Sequence, residues 1–358
     1  MKQTYKIAII YGDGIGQEIV SAAQTVLNAI ASKYNVNFEY NRCLMGGESI
    51  DAHGVPLTDE AIEVCKNSNA ILLGAVGGPK WDNVAPDLRP ERGLLRLRKS
   101  LGLYANLRPI KTFDALLEFS PLKTENVQGV DFVIVRELTG GIYFGDKKEA
   151  FMDDNVEKAW DVESYSRPEI ERIIKVAVDI AKVRKSHITS VEKSNVLASS
   201  RLWKKIALEY AAKEPSIKLD NLYVDNCAMQ FVINPKQFDV VVTNNIFGDI
   251  LSDEAAVIAG SIGMLPSASL GESTALYEPI HGSAPDIAGK DIANPMGTIL
   301  SAAMLLRYSL GMHQAAADIE QAVNKFLEDG YRTTDLYKEG MQKLGTIDTG
   351  KQIAKYIN

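Results

Sequence analysis

Asp249 and Asp253 stand four residues apart in the stretch DVVVTNNIFGDILSDE, residues 239–254. If a helix opens at Ile246, with Asn244 and Asn245 available to cap it, both carboxylates leave one face a turn apart. Like charges at that spacing destabilise a helix by ~0.2–0.5 kcal/mol, more when partly desolvated. A hard divalent cation with oxygen ligands would offset the repulsion. Two solvated acids near a helix start, where the dipole favours them, are the plainer alternative. Arginines offer a second chemistry. Glu91, Leu94, Leu95 and Arg98 share one helix face by their spacing, which an ordinary amphipathic helix would also show. Arg108 lies in a strand-like run just before Pro109, and Arg136 ends an apolar run. Arginine at such positions is costly unless it meets an anion. Guanidinium forks suit carboxylates, so three of them imply a small dicarboxylate or a phosphate. Lys193 and Asp225 each close a strand-like run, and Tyr143 follows two glycines. Singly these are solvated tips and a packing ring. Together they set a lysine, a phenol and acids at strand ends, where α/β proteins build sites.

The elements that must position these groups alternate in type. Short β-branched or apolar runs predict strands over 6–11, 36–40, 70–75, 103–109, 131–136, 187–192, 222–225 and 239–243. Between them, 3.6-residue periodicity and capping residues predict helices from Gly16 to about Ser32, over 58–66, 91–100, 167–185 and 199–212, and from Ile246. A further helix is expected over 296–310, with Asn294 as N-cap and Pro295 in the first turn. Period-2 aromatics over 142–165 suggest a projecting hairpin arm. Strands alternating with helices mean an α/β architecture with much of the sheet parallel. The first turn, Gly12-Asp13-Gly14-Ile15-Gly16, followed by Glu39 on the next strand, invites a dinucleotide-binding reading. That fingerprint needs its third glycine at position 17, where the chain has Gln17.

A chain of 358 residues is long enough for about two domains. With 46% hydrophobic and 24% charged residues it has the balance of a soluble globular protein, and a net charge of -7 argues against general nucleic-acid binding. Cys43, Cys65 and Cys227 form no CxxC pair, so neither zinc nor a disulfide framework is expected and a reducing, cytoplasmic setting is favoured. No apolar run approaches the ~20 residues of a membrane span, and the N-terminal run is too short for a signal peptide.

Longer stretches carry a resemblance: ERGLLRLRK (91–99), LYANLRP (103–109), RELTGGIYFG (136–145), NNIFGDILSD (244–253) and EPIHGSAPDIAG (278–289). In this order they resemble the isocitrate/isopropylmalate dehydrogenase family of β-decarboxylating dehydrogenases, with no departure from the isopropylmalate pattern at the named positions. The resemblance implies oxidation of a 2-hydroxy acid by NAD and loss of its 3-carboxylate as carbon dioxide. For 3-isopropylmalate the product is 4-methyl-2-oxopentanoate, in leucine biosynthesis. Tartrate, malate or homoisocitrate as substrate are alternatives within the class. A non-catalytic metabolite-binding subunit is the alternative outside it, although such a subunit should have lost Tyr143, Lys193 or an Asp.

Residue by residue, the resemblance assigns Mg²⁺ or Mn²⁺ to Asp225, Asp249 and Asp253, and the two carboxylates to Arg98, Arg108 and Arg136. Lys193, its pKa lowered by nearby arginines and the metal, would help remove the hydroxyl proton, and Tyr143 would protonate the enolate carbon. Glu91, Leu94, Leu95 and Val196 would line the substrate's alkyl group. NAD would lie on His281, Gly282, Ser283, Ala284, Pro285 and Asp286, with Ala293 and Asn294, near Gly78 and Glu91. Asp286 would accept from the ribose hydroxyls and disfavour NADP. The implied fold has two domains and a non-Rossmann NAD site: 1–103 plus 260–358 bind NAD, while 104–259 carry the metal site and the dimer interface. Lys193 and Asp225 would reach each site from the second subunit of a homodimer, with the 142–165 arm in the interface.

Overall fold

The computed structural model describes residues 2–357, and the chain divides into two compact units. One unit holds the residues up to Leu103, Phe113–Pro121 and those from Ala259 onward; the other holds Tyr104–Thr112 and Leu122–Ile258. In chain order the elements begin with β1 (Thr4–Gly12), α1 (Gly16–Tyr34), β2 (Asn37–Cys43), α2 (Gly47–His53), α3 (Asp59–Lys66), β3 (Ala70–Ala75), α4 (Pro90–Ser100) and β4 (Leu103–Lys111). There follow α5 (Thr124–Val127), β5 (Asp131–Glu137), β6 (Lys147–Asp153), β7 (Val156–Asp161), α6 (Arg167–Lys182), β8 (His187–Glu192), α7 (Ala198–Lys213) and β9 (Lys218–Tyr223). Then come α8 (Val224–Ile233), β10 (Val240–Thr243), α9 (Asn245–Ile258), β11 (Pro266–Gly271), β12 (Leu276–Pro279), α10 (Met296–Tyr308), α11 (His313–Glu328) and α12 (Thr346–Ile357).

The unit of both chain ends orders its strands β2-β1-β3-β12-β11, parallel except for the β11–β12 pair. β3 is buried at every position, as a central parallel strand covered on both faces must be. Its core joins Ile10, Met45, Leu57, Leu73, Leu97 and Leu103, with Leu94 of α4 packed against it. α10 is buried from Met296 to Leu306, which explains why its sequence shows no polar face. It starts at Met296 as expected, with Pro295 and not Asn294 as the capping residue, and the Asn294 side chain accepts from the Met296 N–H at 2.9 Å.

The second unit orders its strands β4-β5-β10-β8-β9, with β4–β5 antiparallel and the others parallel. Phe132, Phe231 and Phe238 pack as a buried aromatic trio, with ring centroids 4.8–5.8 Å apart. The register decides where the chemistry lies. Arg136 pairs with Thr243, Thr243 with Val191, and Glu192 with Tyr223. Arg136, Asn244, Lys193 and Asp225 therefore all leave the carboxyl edge of one sheet. Asp225 does not end a strand: β9 stops at Tyr223, and Asp225 sits in the first turn of α8, a helix the sequence reading missed. α6 ends at Lys182, short of the expected 185, and its start is fixed by a Ser166–Glu169 capping box. β6 and β7 form a separate hairpin within 142–165, closed by Asp154 and Asn155. Both have positive φ, the two-residue turn that matches strand twist.

Candidate active site

α9 carries the acids because the buried run Val240–Thr243 feeds straight into it, and Asn244 caps it by accepting from the Phe247 N–H at 2.9 Å. From the antiparallel pair β4–β5 two arginines reach the same helix. Arg136, only 5% exposed, donates from Nη1 to Asp249 Oδ1, and from Nε and Nη2 to Asn245 Oδ1 at 3.1 and 2.8 Å. Arg108 donates to Asn106 Oδ1 at 2.8 Å, Ser252 Oγ at 2.5 Å and Asp253 Oδ1 at 3.2 Å, and stands 3.8 Å from Asp249. The Tyr143 hydroxyl donates to Asp249 Oδ2 at 2.6 Å, and the Arg136 guanidinium lies 5.7 Å from its ring centroid. Thus Arg108, Arg136, Tyr143, Asp249 and Asp253, singled out at widely separated positions, meet on one helix face.

The electrostatics follow from this packing. Burial pushes the Asp249 carboxyl up, but Arg136, the Tyr143 hydrogen bond and Arg108 outweigh it and hold it below the ordinary carboxylate range. Burial, and then the hydrogen bond to anionic Asp249, raise the Tyr143 phenol, so it keeps its proton at neutral pH. A buried polar frame sets the Tyr143 turn. Glu137, fully buried, accepts from the Thr139 and Gly140 N–H groups at 2.9 and 2.8 Å and from the Tyr165 hydroxyl at 3.2 Å. Tyr165 in turn accepts from the Asn245 N–H at 3.0 Å, and its ring lies where a side chain on Gly140 or Gly141 would go. Gly141 also has φ 71°, so it is required on both counts, whereas Gly140, with extended backbone, is required by the Tyr165 ring alone.

Lys193 and Asp225 form a separate pair, Nζ to Oδ2 at 2.9 Å. That contact holds the Asp225 carboxyl below its ordinary range. The neighbour of Lys193 within the chain is therefore a carboxylate. Among the described residues no three His, Cys, Asp or Glu side chains gather into a metal-holding group, so Asp225 does not join Asp249 and Asp253 within one chain. Val196 is 64% exposed.

The other unit holds the remaining candidates. On α4, Arg98 donates to Glu278 at 2.6 Å while its Nε is buried without a partner; Leu94 and Leu95 are half-buried and Glu91 is exposed. The Gly78 side of the loop after β3 approaches Glu91, whose Oε1 lies 2.6 Å from where a Cβ on Gly77 would be. Ser283 Oγ donates to Gly77 O at 2.7 Å, so the 281–286 loop is fastened to that loop. Within it His281 Nε2 is buried and unpartnered, burial lowers the His281 pKa, and Gly282 faces open space. Ala284 sits at φ 38°, while Pro285 and Asp286 are exposed. Ala293 accepts from the Thr346 hydroxyl at 2.7 Å, and Asn294 donates to Asp335 at 3.1 Å. Asn106, Asn245, Glu137 and Tyr165 are the site residues sequence reasoning missed. For Asn245 the available signal was a second asparagine where one N-cap suffices.

The chain matches the family described as isocitrate/isopropylmalate dehydrogenase over residues 6–353. It is 56% identical over 353 residues to 3-isopropylmalate dehydrogenase of Aquifex aeolicus, covering 99% of this chain and 97% of that protein. To the enzyme of the same name from Moorella thermoacetica it is 56% identical over 354 residues, covering 99% of each. Among solved structures, isocitrate dehydrogenase from Methylococcus capsulatus matches with a TM-score of 0.86 at 35% identity, covering 99% of both chains.

Proposed function

This chain belongs to the isocitrate/isopropylmalate dehydrogenase family, and from that premise we propose that it catalyses NAD-dependent oxidative decarboxylation of 3-isopropylmalate to 4-methyl-2-oxopentanoate, in leucine biosynthesis. A cytoplasmic location is part of the same reading; among the described residues no helix is long and apolar enough to cross a membrane. The observation that carries the chemistry is the convergence of Arg108, Arg136 and the Tyr143 hydroxyl on Asp249 and Asp253. Two guanidiniums there balance two carboxylates, so a dication and a dicarboxylate can enter together without leaving net charge.

The donor set is all carboxylate oxygen, which fits Mg²⁺ or Mn²⁺: Asp249 and Asp253 from one chain and Asp225 from a second copy would hold it. For NAD, the unpartnered His281 Nε2, the open face at Gly282 and the exposed Asp286 carboxylate fit a cofactor with ribose hydroxyls. When bound, the cation supplies Lewis-acid stabilisation of developing negative charge, and NAD supplies the hydride acceptor. The chain's own groups bind, orient and move protons. Arg108 and Arg136 take the substrate's carboxylates, and Asn245 sets the plane of Arg136. Lys193 takes the hydroxyl proton as the C2 hydride leaves. The C3 carboxylate then departs as carbon dioxide, its bonding electrons passing into the C2–C3 enolate, and Tyr143 returns a proton to C3.

In this reading the unit of both chain ends carries NAD and the other unit pairs with a second copy. Met229, Val232 and Ile233 on α8, and Ile250 and Val257 on α9, are exposed apolar side chains on two helices that pack together. The β6–β7 hairpin adds exposed Met152, Val156 and Trp160. Leu94 and Leu95 supply an aliphatic surface on α4, whereas a third substrate carboxylate would need a polar partner there. Steady-state NADH formation with Mn²⁺ tests the reading. The kcat/KM for 3-isopropylmalate should exceed that for isocitrate, and NAD should outperform NADP by about tenfold or more, the scale of one charged contact. Isocitrate as the better substrate overturns the pocket assignment, and equal use of NADP overturns the role of Asp286.

A further inference from the structure

The Gly12–Gly16 turn, so close to a dinucleotide fingerprint in sequence, has its anion built in. Asp13 is 5% exposed, and its carboxylate accepts three backbone N–H groups: Gly47 at 2.9 Å, Glu48 at 3.0 Å and Gly77 at 2.7 Å. Converging N–H groups of this kind bind phosphate in other proteins. Here a side-chain carboxylate occupies them.

Backbone hydrogen bonds anchor the same turn as well. Asp13 N–H donates to Ala75 O at 2.8 Å and Ile15 N–H to Ser283 O at 2.8 Å. A Cβ on Gly12 would lie 1.9 Å from Ala75 O, and one on Gly14 2.0 Å from Ser283 O. The motif's first two glycines therefore serve backbone-to-backbone contact, not contact with a ligand. The loop after β3 is held at its far end as well. Trp81 lies against Gly47 and donates from Nε1 to Asp51 at 3.2 Å, while Lys80 reaches the same carboxylate at 2.5 Å. Asp13 thus fastens three segments: the start of α2, the loop from Gly77, and, through Ile15 and Ser283, the loop 281–286.

We infer that Asp13 is a positioning residue for NAD, holding the Gly77–Gly78 and 281–286 loops in their binding arrangement before the cofactor arrives. This rests on the NAD site proposed above. Preorganised loops spare the cofactor the cost of ordering them, so loss of the clamp falls on NAD affinity and leaves the metal–substrate cluster intact.

The test uses full-length Asp13→Asn and Asp13→Ala. Asn keeps the shape but turns an N–H donor toward at least one of the three backbone donors, and Ala leaves the pocket empty. Both should raise the NADH dissociation constant and the KM for NAD by about ten- to hundredfold. The KM for 3-isopropylmalate, and kcat at saturating NAD, should stay within about twofold. Added formate, a carboxylate small enough for the vacated pocket, should partly restore NADH binding to Asp13→Ala, while equal chloride should not. An unchanged NADH affinity, or equal loss of both KM values without formate rescue, overturns the inference. If the variants do not fold, hydrogen exchange on the wild-type protein decides. Peptides spanning 75–82 and 281–286 should be protected before NADH is added, and protection appearing only with NADH overturns it. Wild-type protein that fails to bind NADH at all would instead overturn the proposed function.

Discussion

Two inactive variants should make an active dimer. In each chain Tyr143 is bonded to Asp249 at 2.6 Å, whereas Lys193 is bonded to Asp225 at 2.9 Å, a separate pair. If a working site takes Tyr143, Asp249 and Asp253 from one chain and Lys193 and Asp225 from another, Lys193→Met and Tyr143→Phe damage the sites differently. Each homodimer carries one lesion in both sites, and loss of one proton-transfer group costs ~10²–10⁴-fold in its own step. In a heterodimer one site receives intact Tyr143 and intact Lys193, while the other receives both lesions. A two-fold dimer of this kind should recover about half of wild-type activity, and a random 1:1 mixture of re-paired chains about one quarter. The assay co-expresses the two variants with different affinity tags, purifies doubly tagged protein and measures NADH formation. Recovery to about half of wild type supports the shared site. Activity no higher than either parent refutes the sharing, and failure to recover doubly tagged protein refutes the dimer.

Three further outcomes follow from the same geometry. Asp253→Asn removes one charged ligand and should raise the Mn²⁺ concentration for half-maximal rate by about tenfold or more, with excess chelator abolishing wild-type turnover; full activity in chelator contradicts the metal assignment. Asn245→Ala strips the acceptor from two N–H groups of a buried guanidinium and should lower unfolding free energy by about 2–4 kcal/mol in denaturant titration, together with kcat; an unchanged midpoint would mean Arg136 is held without Asn245. Asp249, whose pKa is depressed on folding, contributes stability that is complete above the ordinary carboxylate value near ~4 and is lost as pH falls through its lower folded value. Asp249→Asn should therefore flatten the acid limb of the stability–pH curve, and acid limbs of equal slope would show the carboxylate contributes nothing there.

The legible parts of the chain were those where local chemistry and fold agree. The β-branched run ending at Thr243 and the asparagine that caps α9 place Asp249 and Asp253 without tertiary information. The alternation of runs gave the α/β class, and the 3.6 spacing on α4 gave the face shared by Leu94 and Arg98. Asp225 was misplaced because Leu222, Tyr223 and Val224 continue a strand-like run across a boundary that only the β8–β9 register fixes. Glu278 as the partner of Arg98, 180 residues away, has no local signature. Nor does Glu137, whose buried carboxylate reads as a strand-end charge until Tyr165 and the Gly140 N–H are seen to close on it. The Gly12–Gly16 turn shows the same limit from the other side. Its spacing misses the dinucleotide fingerprint by one residue, and nothing local foretells that the Asp13 carboxylate accepts three backbone N–H groups.

Oxidation and loss of the 3-carboxylate are tested together by 3-isopropylmalate labelled in that carboxylate. Incubated with the purified protein, NAD and Mn²⁺, the labelled substrate should release one labelled carbon dioxide for each NADH formed and leave unlabelled 4-methyl-2-oxopentanoate. NADH formed with the label retained in the product, or no NADH from this substrate under any metal and cofactor combination, would contradict oxidative decarboxylation at this site.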